Sequence, residues 1–581
     1  MRTTTLLTRL ATVVVTGAST ASLADVCTLA YVKSVLPADG FLPGVSILRD
    51  TVTVNAVTNY AVSSSGGMPG AASNNASSSY STGEHSLCNI TFGYTHPGLN
   101  DRNRYLSTGG GGFSITSGQR GLSEGLAYGA AAGTTDGGLG GWAAQLTDKV
   151  LAANGTLRYE PLVMFAYKAI HEMTVLGKQL TVQFYNASKV YSYYHGCSEG
   201  GREGLSQVQR YGSQFDGAAI GAPAIRFAFL QVIHLFSALV EITNNYFPSN
   251  CEMARIASDV LQACDALDGR ADGVVSRTDL CRLHYKPTVN AVGISYSCAA
   301  SSGGGMFGPP GSGGTSSPAA NGTVSAKAAK IAEDIWNGLL DSKGRQAYVS
   351  FPPSASFGDA GTTYSTATKQ YQATVGGIGV SWVNYFLKQI ASPSLSLQNA
   401  TYDTLRDWMV EGMQRYSDTL QTNWPDLEDF QKDGGKMIHY HGESDPSIPA
   451  GSSVMYHESV RKVMYPKMGY NESFAALNEW YRFYLVPGAG HCGASSDQPN
   501  GPFPDDVVAS LIGWVERGVN PVRLNATVGS NGKVKDVSQQ LCSWPLRPYW
   551  VNNGTTMDCV YDQVSIDTWL PTLDAIPVPV W

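Results

Sequence analysis

Ser198 lies in Gly196-Cys197-Ser198-Glu199-Gly200, a Gly-x-Ser-x-Gly core within Tyr193 to Leu205. The strand-like run Lys189 to Tyr194 leads into it, and the helix-compatible run Arg202 to Arg210 leads out. A serine on such a sharp strand-to-helix turn is presented as a nucleophile, and the flanking glycines let backbone pack closely. A hydroxyl attacks only when a base takes its proton, and the base in turn needs an orienting acid. Asp445 lies in His441-Gly-Glu-Ser-Asp-Pro-Ser-Ile-Pro449, after the strand-like Lys436 to His441. His491 lies in Pro487-Gly-Ala-Gly-His-Cys492, after the strand-like Tyr481 to Val486. Singly, these are a glycine-rich turn with a buried serine and two polar loop residues. Together, in the order serine, acid, histidine and each at a strand end, they make a triad for acyl transfer.

Two cysteines adjoin that triad: Cys197 precedes Ser198 and Cys492 follows His491. A disulfide between them clamps the two loops. The alternatives are a free buried thiol or Cys197 as the nucleophile itself, which the elbow position of Ser198 disfavours. Further upstream, Arg104 to Thr108 runs into Gly109-Gly110-Gly111-Gly112-Phe113. Such a tetrad is either a linker or a place where backbone amides meet a ligand, and it stands where hydrolases of this order keep a second oxyanion donor. The expected donors are the amide of Glu199 and that of Gly110 or Gly111. Gly-x-Gly-x-x-Gly spacing is absent, so no dinucleotide site is read here. His171-Glu172 has Val175 where a zinc protease needs its second histidine, so His171 is read as a helix-packing residue. Asp265, Asp268 and Asp272, between Cys264 and Cys281 with two Asp-Gly turns, form an array of hard oxygens suited to Ca²⁺ but lacking EF-hand spacing.

The elements that must carry these residues alternate between strand and helix, which is the α/β class. With 581 residues the chain accommodates more than one domain. Residues 25–223 and 434–581 are read as the catalytic domain and 224–433 as an inserted lid, carrying the acidic loop and a disordered Gly/Ser/Pro-rich segment, 301–321. Residues 25 to about 130 read as short strands with polar turns, including a loop over Ser63 to Tyr80. Arg2, Arg9, the apolar Leu10 to Val15 and the small residues ending at Ala24 read as a signal peptide, 1–24, hence a secreted, extracellular protein. A net charge of -7 without a basic run argues against nucleic acid or an anionic membrane as partner. Ten cysteines suit an oxidising compartment. Sequence proximity suggests Cys27 with Cys88, Cys251 with Cys264, Cys281 with Cys298 and Cys542 with Cys559. Sequons at Asn75, Asn89, Asn154, Asn186, Asn321, Asn399, Asn471, Asn525 and Asn553 suggest N-glycans.

From Asp25-Val-Cys27 to the C-terminus the chain resembles the tannase and feruloyl esterase family. Cys197-Ser198, Asp445 and His491-Cys492 match its linked Cys-Ser, Asp, His-Cys arrangement, and the aspartate cluster is similar to its calcium loop. Within the family the likeness is to the fungal tannases. The resemblance implies an α/β-hydrolase fold with a large lid, and a serine esterase acting on small phenolic esters, gallate esters and tannins first. It also implies structural Ca²⁺ on Asp265, Asp268 and Asp272, with the carbonyls of Arg270 and Val274. The alternatives are a feruloyl or other aromatic-acid esterase, or a non-catalytic phenolic-binding protein.

Overall fold

The structure is a computed structural model and describes residues 9–15, 22–36, 38, 46–61, 84–95, 103–141, 145–185, 187–302, 316–528 and 537–576. The chain divides into two compact units, Met1–Asn103 with Gln183–Ala187, and Arg104–Val182 with Ser188–Trp581. In the first, strand β3 (Glu84–Thr95) pairs antiparallel with β2 (Ser46–Ala61) on one side and β1 (Arg9–Val15) on the other. The apolar run read above as the core of a leader is thus an edge strand here. Its Thr12-Val13-Val14-Val15 is β-branched throughout, which suits a pleated strand. A disulfide joins Cys27 to Cys88 of β3. The loop expected over Ser63 to Tyr80 lies outside the described residues.

The second unit is built on a six-stranded parallel sheet of order β9-β8-β7-β6-β4-β5. Its strands are β4 (Arg104–Thr108), β5 (Ala131–Gly133), β6 (Tyr191–Cys197), β7 (Gly217–Gly221), β8 (Lys436–Gly442) and β9 (Tyr481–Val486). Both faces are covered, so β7 and β9 are buried along their whole length. Period-two alternation sends neighbours to opposite layers. Tyr193, Ala219, Ile438 and Tyr484 pack with Leu511 and Trp514 of helix α2 (Val507–Arg517), while Tyr194, Ala218, Ile220 and Phe483 join the larger core with Leu205 and Val208 of helix α1 (Glu199–Tyr211). This is the α/β-hydrolase arrangement, with the glycine tetrad and the loops of Ser198, Asp445 and His491 at the carboxyl ends of the strands.

The segment 224–433 interrupts the sheet between β7 and β8 and belongs to the same compact unit. Its apolar run Phe227–Asn244 is long and apolar enough to cross a membrane, yet 83% of it is buried as core. The helix over Phe227 to Glu241 is broken at His234-Leu235, giving Phe227–Ile233 and Phe236–Thr243. The segment expected to be disordered is ordered at its ends: Ser301–Ser302 pairs with Ser316–Ser317, and Ala320–Thr323 pairs with Ser295–Cys298. Residues 303–315 lie outside the described residues.

Two disulfide assignments made from sequence proximity are corrected. Cys251 bonds Cys298, not Cys264, and Cys281 bonds Cys264, not Cys298. The reason is the helix Asn250–Cys264, which has Cys251 and Cys264 at its two ends. A rise of about 1.5 Å per residue sets them roughly 20 Å apart, whereas a disulfide needs Cα atoms within about 7 Å. Cys542–Cys559 is bonded as proximity suggested, and Cys197–Cys492 as their places beside Ser198 and His491 suggested.

Candidate active site

β6 ends at Cys197, and Ser198 is the N-cap of α1 with φ +65° and ψ −124°. A non-glycine residue is strained there, so the surroundings must hold it. They do so through backbone: the Ser198 amide donates to the Gly221 carbonyl (3.1 Å), and its carbonyl accepts from Ala224 (3.0 Å). Gly196 and Gly201 are small by necessity, because a Cβ would meet the Gly200 carbonyl at 2.5 Å and the Gly221 carbonyl at 2.4 Å. The nucleophile elbow expected from Gly-x-Ser-x-Gly is present in shape.

Asp445 follows β8 and is fully buried. Its Oδ1 accepts from the amides of Ser447 (2.8 Å) and Ile448 (2.9 Å), and its Oδ2 accepts from His491 Nδ1 (2.9 Å). A second ring, His441, approaches the same Oδ2 with Nε2 at 3.2 Å. Burial pushes the Asp445 carboxyl up, but His491 and His441 outweigh it and hold the group well below the usual carboxylate range. With Nδ1 bound to Asp445, His491 meets Cys492 Sγ through Nε2 at 3.7 Å. The Cys197–Cys492 bond, with Cα atoms 5.9 Å apart, joins the loops of Ser198 and His491 across 295 residues of sequence. Cys492 itself has φ +59°, so both loops bend sharply beside the bridge.

The glycine tetrad packs against the start of α1: the Gly200 amide donates to the Gly110 carbonyl at 3.0 Å. The expected oxyanion donors fare differently. Glu199 is the first residue of α1, where the helix leaves amides unsatisfied. The Gly110 amide, however, donates to Glu203 Oε2 (3.0 Å), and the Gly111 amide donates to the Ser114 carbonyl (2.9 Å). Both glycine amides are engaged within the protein here, so either would exchange its partner to serve as the second donor. Glu203 gave no signal as a functional residue, yet burial and the neighbouring Glu199 charge push its carboxyl well above the usual range. Glu199 is spent on an ion pair with Arg202, whose guanidinium also donates to the carbonyls of Phe165 (3.0 Å) and Ala166 (2.8 Å).

In the acidic loop, Asp265 Oδ1 accepts from the amides of Asp272 (3.0 Å), Gly273 (3.0 Å) and Val274 (3.2 Å). Asp272 pairs with Arg270 at 3.1 Å. Among the described residues no three acidic, His or Cys side chains are gathered tightly enough to hold a metal ion. One observation does fit a cation: Asp268 Oδ2 is buried with no hydrogen-bond partner. Burial pushes the carboxyls of Asp268 and Asp272 up to about 6, the neighbouring carboxylates adding to it. His171, by contrast, stacks on Tyr211 (3.8 Å) and bonds Gln214 (3.1 Å), a packing role. Trp382 of the inserted segment is likewise core, wedged among Phe227, Phe386 and Tyr416.

Comparison with known proteins places this geometry. The model of a family described as tannase and feruloyl esterase matches residues 75–566. The chain is 46% identical to a tannase of Aspergillus oryzae over 97% of its own length and 98% of that protein. It is 28% identical to a probable feruloyl esterase of Arthroderma benhamiae, covering 82% of this chain and 86% of that one. Among solved structures, tannin acyl hydrolase from Aspergillus niger superposes with TM-score 0.79 at 48% identity, covering 96% of this chain and 99% of that one. Feruloyl esterase B from Aspergillus oryzae, at 23% identity and TM-score 0.61 over 89% of this chain and 97% of that one, shares the fold. The chain therefore belongs to the tannase and feruloyl esterase family.

Proposed function

We propose that this family member is a serine esterase that hydrolyses galloyl esters of phenolic substrates through an acyl-enzyme on Ser198. The observation that carries the reading is the pairing of Asp445 with His491 at 2.9 Å on a loop bonded through Cys492 to the elbow of Ser198. His491 Nε2 takes the Ser198 proton as Oγ adds to the ester carbonyl, and Asp445 stabilises the imidazolium. The oxyanion meets the Glu199 amide at the N-terminus of α1, where backbone donors and the helix dipole favour negative charge. His491 then returns the proton to the leaving alcohol. Water, deprotonated by the same ring, cleaves the acyl-enzyme, and the aromatic acid departs with Ser198 restored.

The choice of acyl group rests on similarity: the relatives at 46% and 48% identity are a tannase and a tannin acyl hydrolase. Feruloyl ester hydrolysis is the second reading, favoured by the relative at 28%. Methyl gallate and methyl ferulate distinguish them. The expected outcome is a kcat/KM for the gallate ester at least about tenfold higher, the scale on which pockets separate substrates by ring hydroxyls. A preference for ferulate overturns the galloyl reading and leaves the triad standing. Secretion with removal of residues 1–24 and N-glycosylation at the sequons belong to the same proposal, supported by the five disulfides. So does a structural Ca²⁺ on Asp265, Asp268 and Asp272 with the Arg270 and Val274 carbonyls, where it neutralises buried carboxylates.

A further inference from the structure

His441 lies on β8, two residues after His439 and on the same face of the strand. Its Nε2 stands 3.0 Å from the Ile448 carbonyl and 3.2 Å from Asp445 Oδ2. Both oxygens only accept, so Nε2 carries a proton whatever the charge on the ring. In the neutral ring Nδ1 must accept, and its partner Ser453 Oγ, at 2.7 Å, must donate. With its hydrogen so committed, Ser453 Oγ accepts from His439 Nε2 (3.0 Å), and His439 Nδ1 accepts from the Tyr481 hydroxyl (2.8 Å). His439, His441, Asp445, Ser453 and Tyr481 are all fully buried, so no solvent replaces a missing member. The hydrogen bonds therefore run one way, from Tyr481 to the carboxylate.

The carboxylate at the end of this chain has three hydrogen-bond donors, Ser447 and Ile448 on Oδ1 and His491 on Oδ2, and His441 Nε2, whose hydrogen bond goes to the Ile448 carbonyl, adds a close polar contact to Oδ2. Held at both oxygens, it cannot turn away from His491. We propose that His441 is a positioning residue for the acyl-transfer reaction. Its Nε2–H shares Asp445 Oδ2 with His491, fixes the carboxylate plane and moderates its pull on the His491 proton. The proposal rests on the triad reading above. The ionisable groups facing it are His439 on the same strand, His457 of the helix Ala450–Met464 against Tyr481, His491, and the buried His234–Asp359 pair of the lid.

The test is the pH profile of kcat/KM on methyl gallate for the full-length, disulfide-bonded protein, with active sites counted by a fluorophosphonate so that any unfolded fraction drops out. Relieved of a donor, Asp445 holds the His491 proton more tightly. His441→Leu should therefore move the acid limb to higher pH and lower kcat per site by about tenfold or more, the scale of one hydrogen bond to a charged group. KM should stay within about twofold, because His441 touches Asp445 and not the substrate. His441→Gln, which keeps an N–H for Asp445, should recover both rate and limb. An unmoved limb and unchanged kcat per site in the leucine variant overturn the proposal, as does a glutamine variant no better than leucine. Full activity in Ser198→Ala instead overturns the triad reading and the proposal with it.

Discussion

Glu203 shows how one side chain shapes the mouth of the candidate site without facing it. Its carboxyl is buried under the glycine tetrad, where a Cβ on Gly109 would meet Glu203 Oε2 at 2.2 Å and the Tyr194 hydroxyl at 2.1 Å. Through the Gly110 amide it decides whether that amide points inward or is available to a ligand. Glu203→Leu should leave a buried amide unpaired, an error on the order of 1–3 kcal/mol, and loosen the loop that receives α1. Glu203→Gln preserves the acceptor and should behave nearly as wild type, since burial and Glu199 already push the native carboxyl toward its neutral form. The measurement is kcat/KM on methyl gallate beside thermal unfolding; equal activity in both variants contradicts this role. Residue types alone located Ser198, Asp445 and His491, because a nucleophile, an acid and a base on strand ends form a pattern along one dimension. His441 was within reach of the same reading, as His439 and His441 alternate on a strand that ends beside Asp445. Glu203 was not, because its importance depends on a contact 93 residues away in sequence.

The helix Phe236–Thr243 of the inserted segment buries Glu241 completely, with neither carboxyl oxygen hydrogen-bonded. Burial raises its pKa to about 9, so the folded protein holds a proton that the unfolded chain releases near the ordinary carboxylate pKa. The sign follows from linkage: between those two values the unfolded state binds fewer protons, and stability falls as pH rises. Glu241→Gln removes the penalty. It should leave stability unchanged near pH 4 and raise it progressively above that, by up to about tenfold in the folding equilibrium per pH unit until pH 9. Denaturant unfolding of both proteins across that range checks this, and a gain independent of pH contradicts it. Elements also explain the failed disulfide pairings. Cys251 and Cys264 are near in sequence, but the helix between them is a rigid spacer, and recognising its periodicity would have excluded that bond.

At the scale of the molecule, a parallel sheet gathers residues from three distant stretches at one edge, and the Cys197–Cys492 bond secures the outermost two. The alternation of strands and helices and the interruption between β7 and β8 could be read from patterns along the chain, whereas the order in which the strands lie in the sheet could not. The separation of Met1–Asn103 as its own unit could not, since no composition shift marks Asn103. The acidic loop bears on the whole second unit, because Cys264–Cys281 closes it and Arg277, within the closed loop, pairs with Asp562 near the C-terminus. Removing Ca²⁺ with a chelator should lower the unfolding temperature, with activity of the still-folded enzyme at moderate temperature little changed. Elemental analysis finding no calcium in protein prepared without chelator contradicts the site. The central claim, that Ser198 is the nucleophile, is tested most directly by mass spectrometry after reaction with a fluorophosphonate. The account predicts a single adduct on the peptide holding Ser198, slowed by propyl gallate and absent from Ser198→Ala. An adduct on another residue, or none while gallate ester is still hydrolysed, would contradict it.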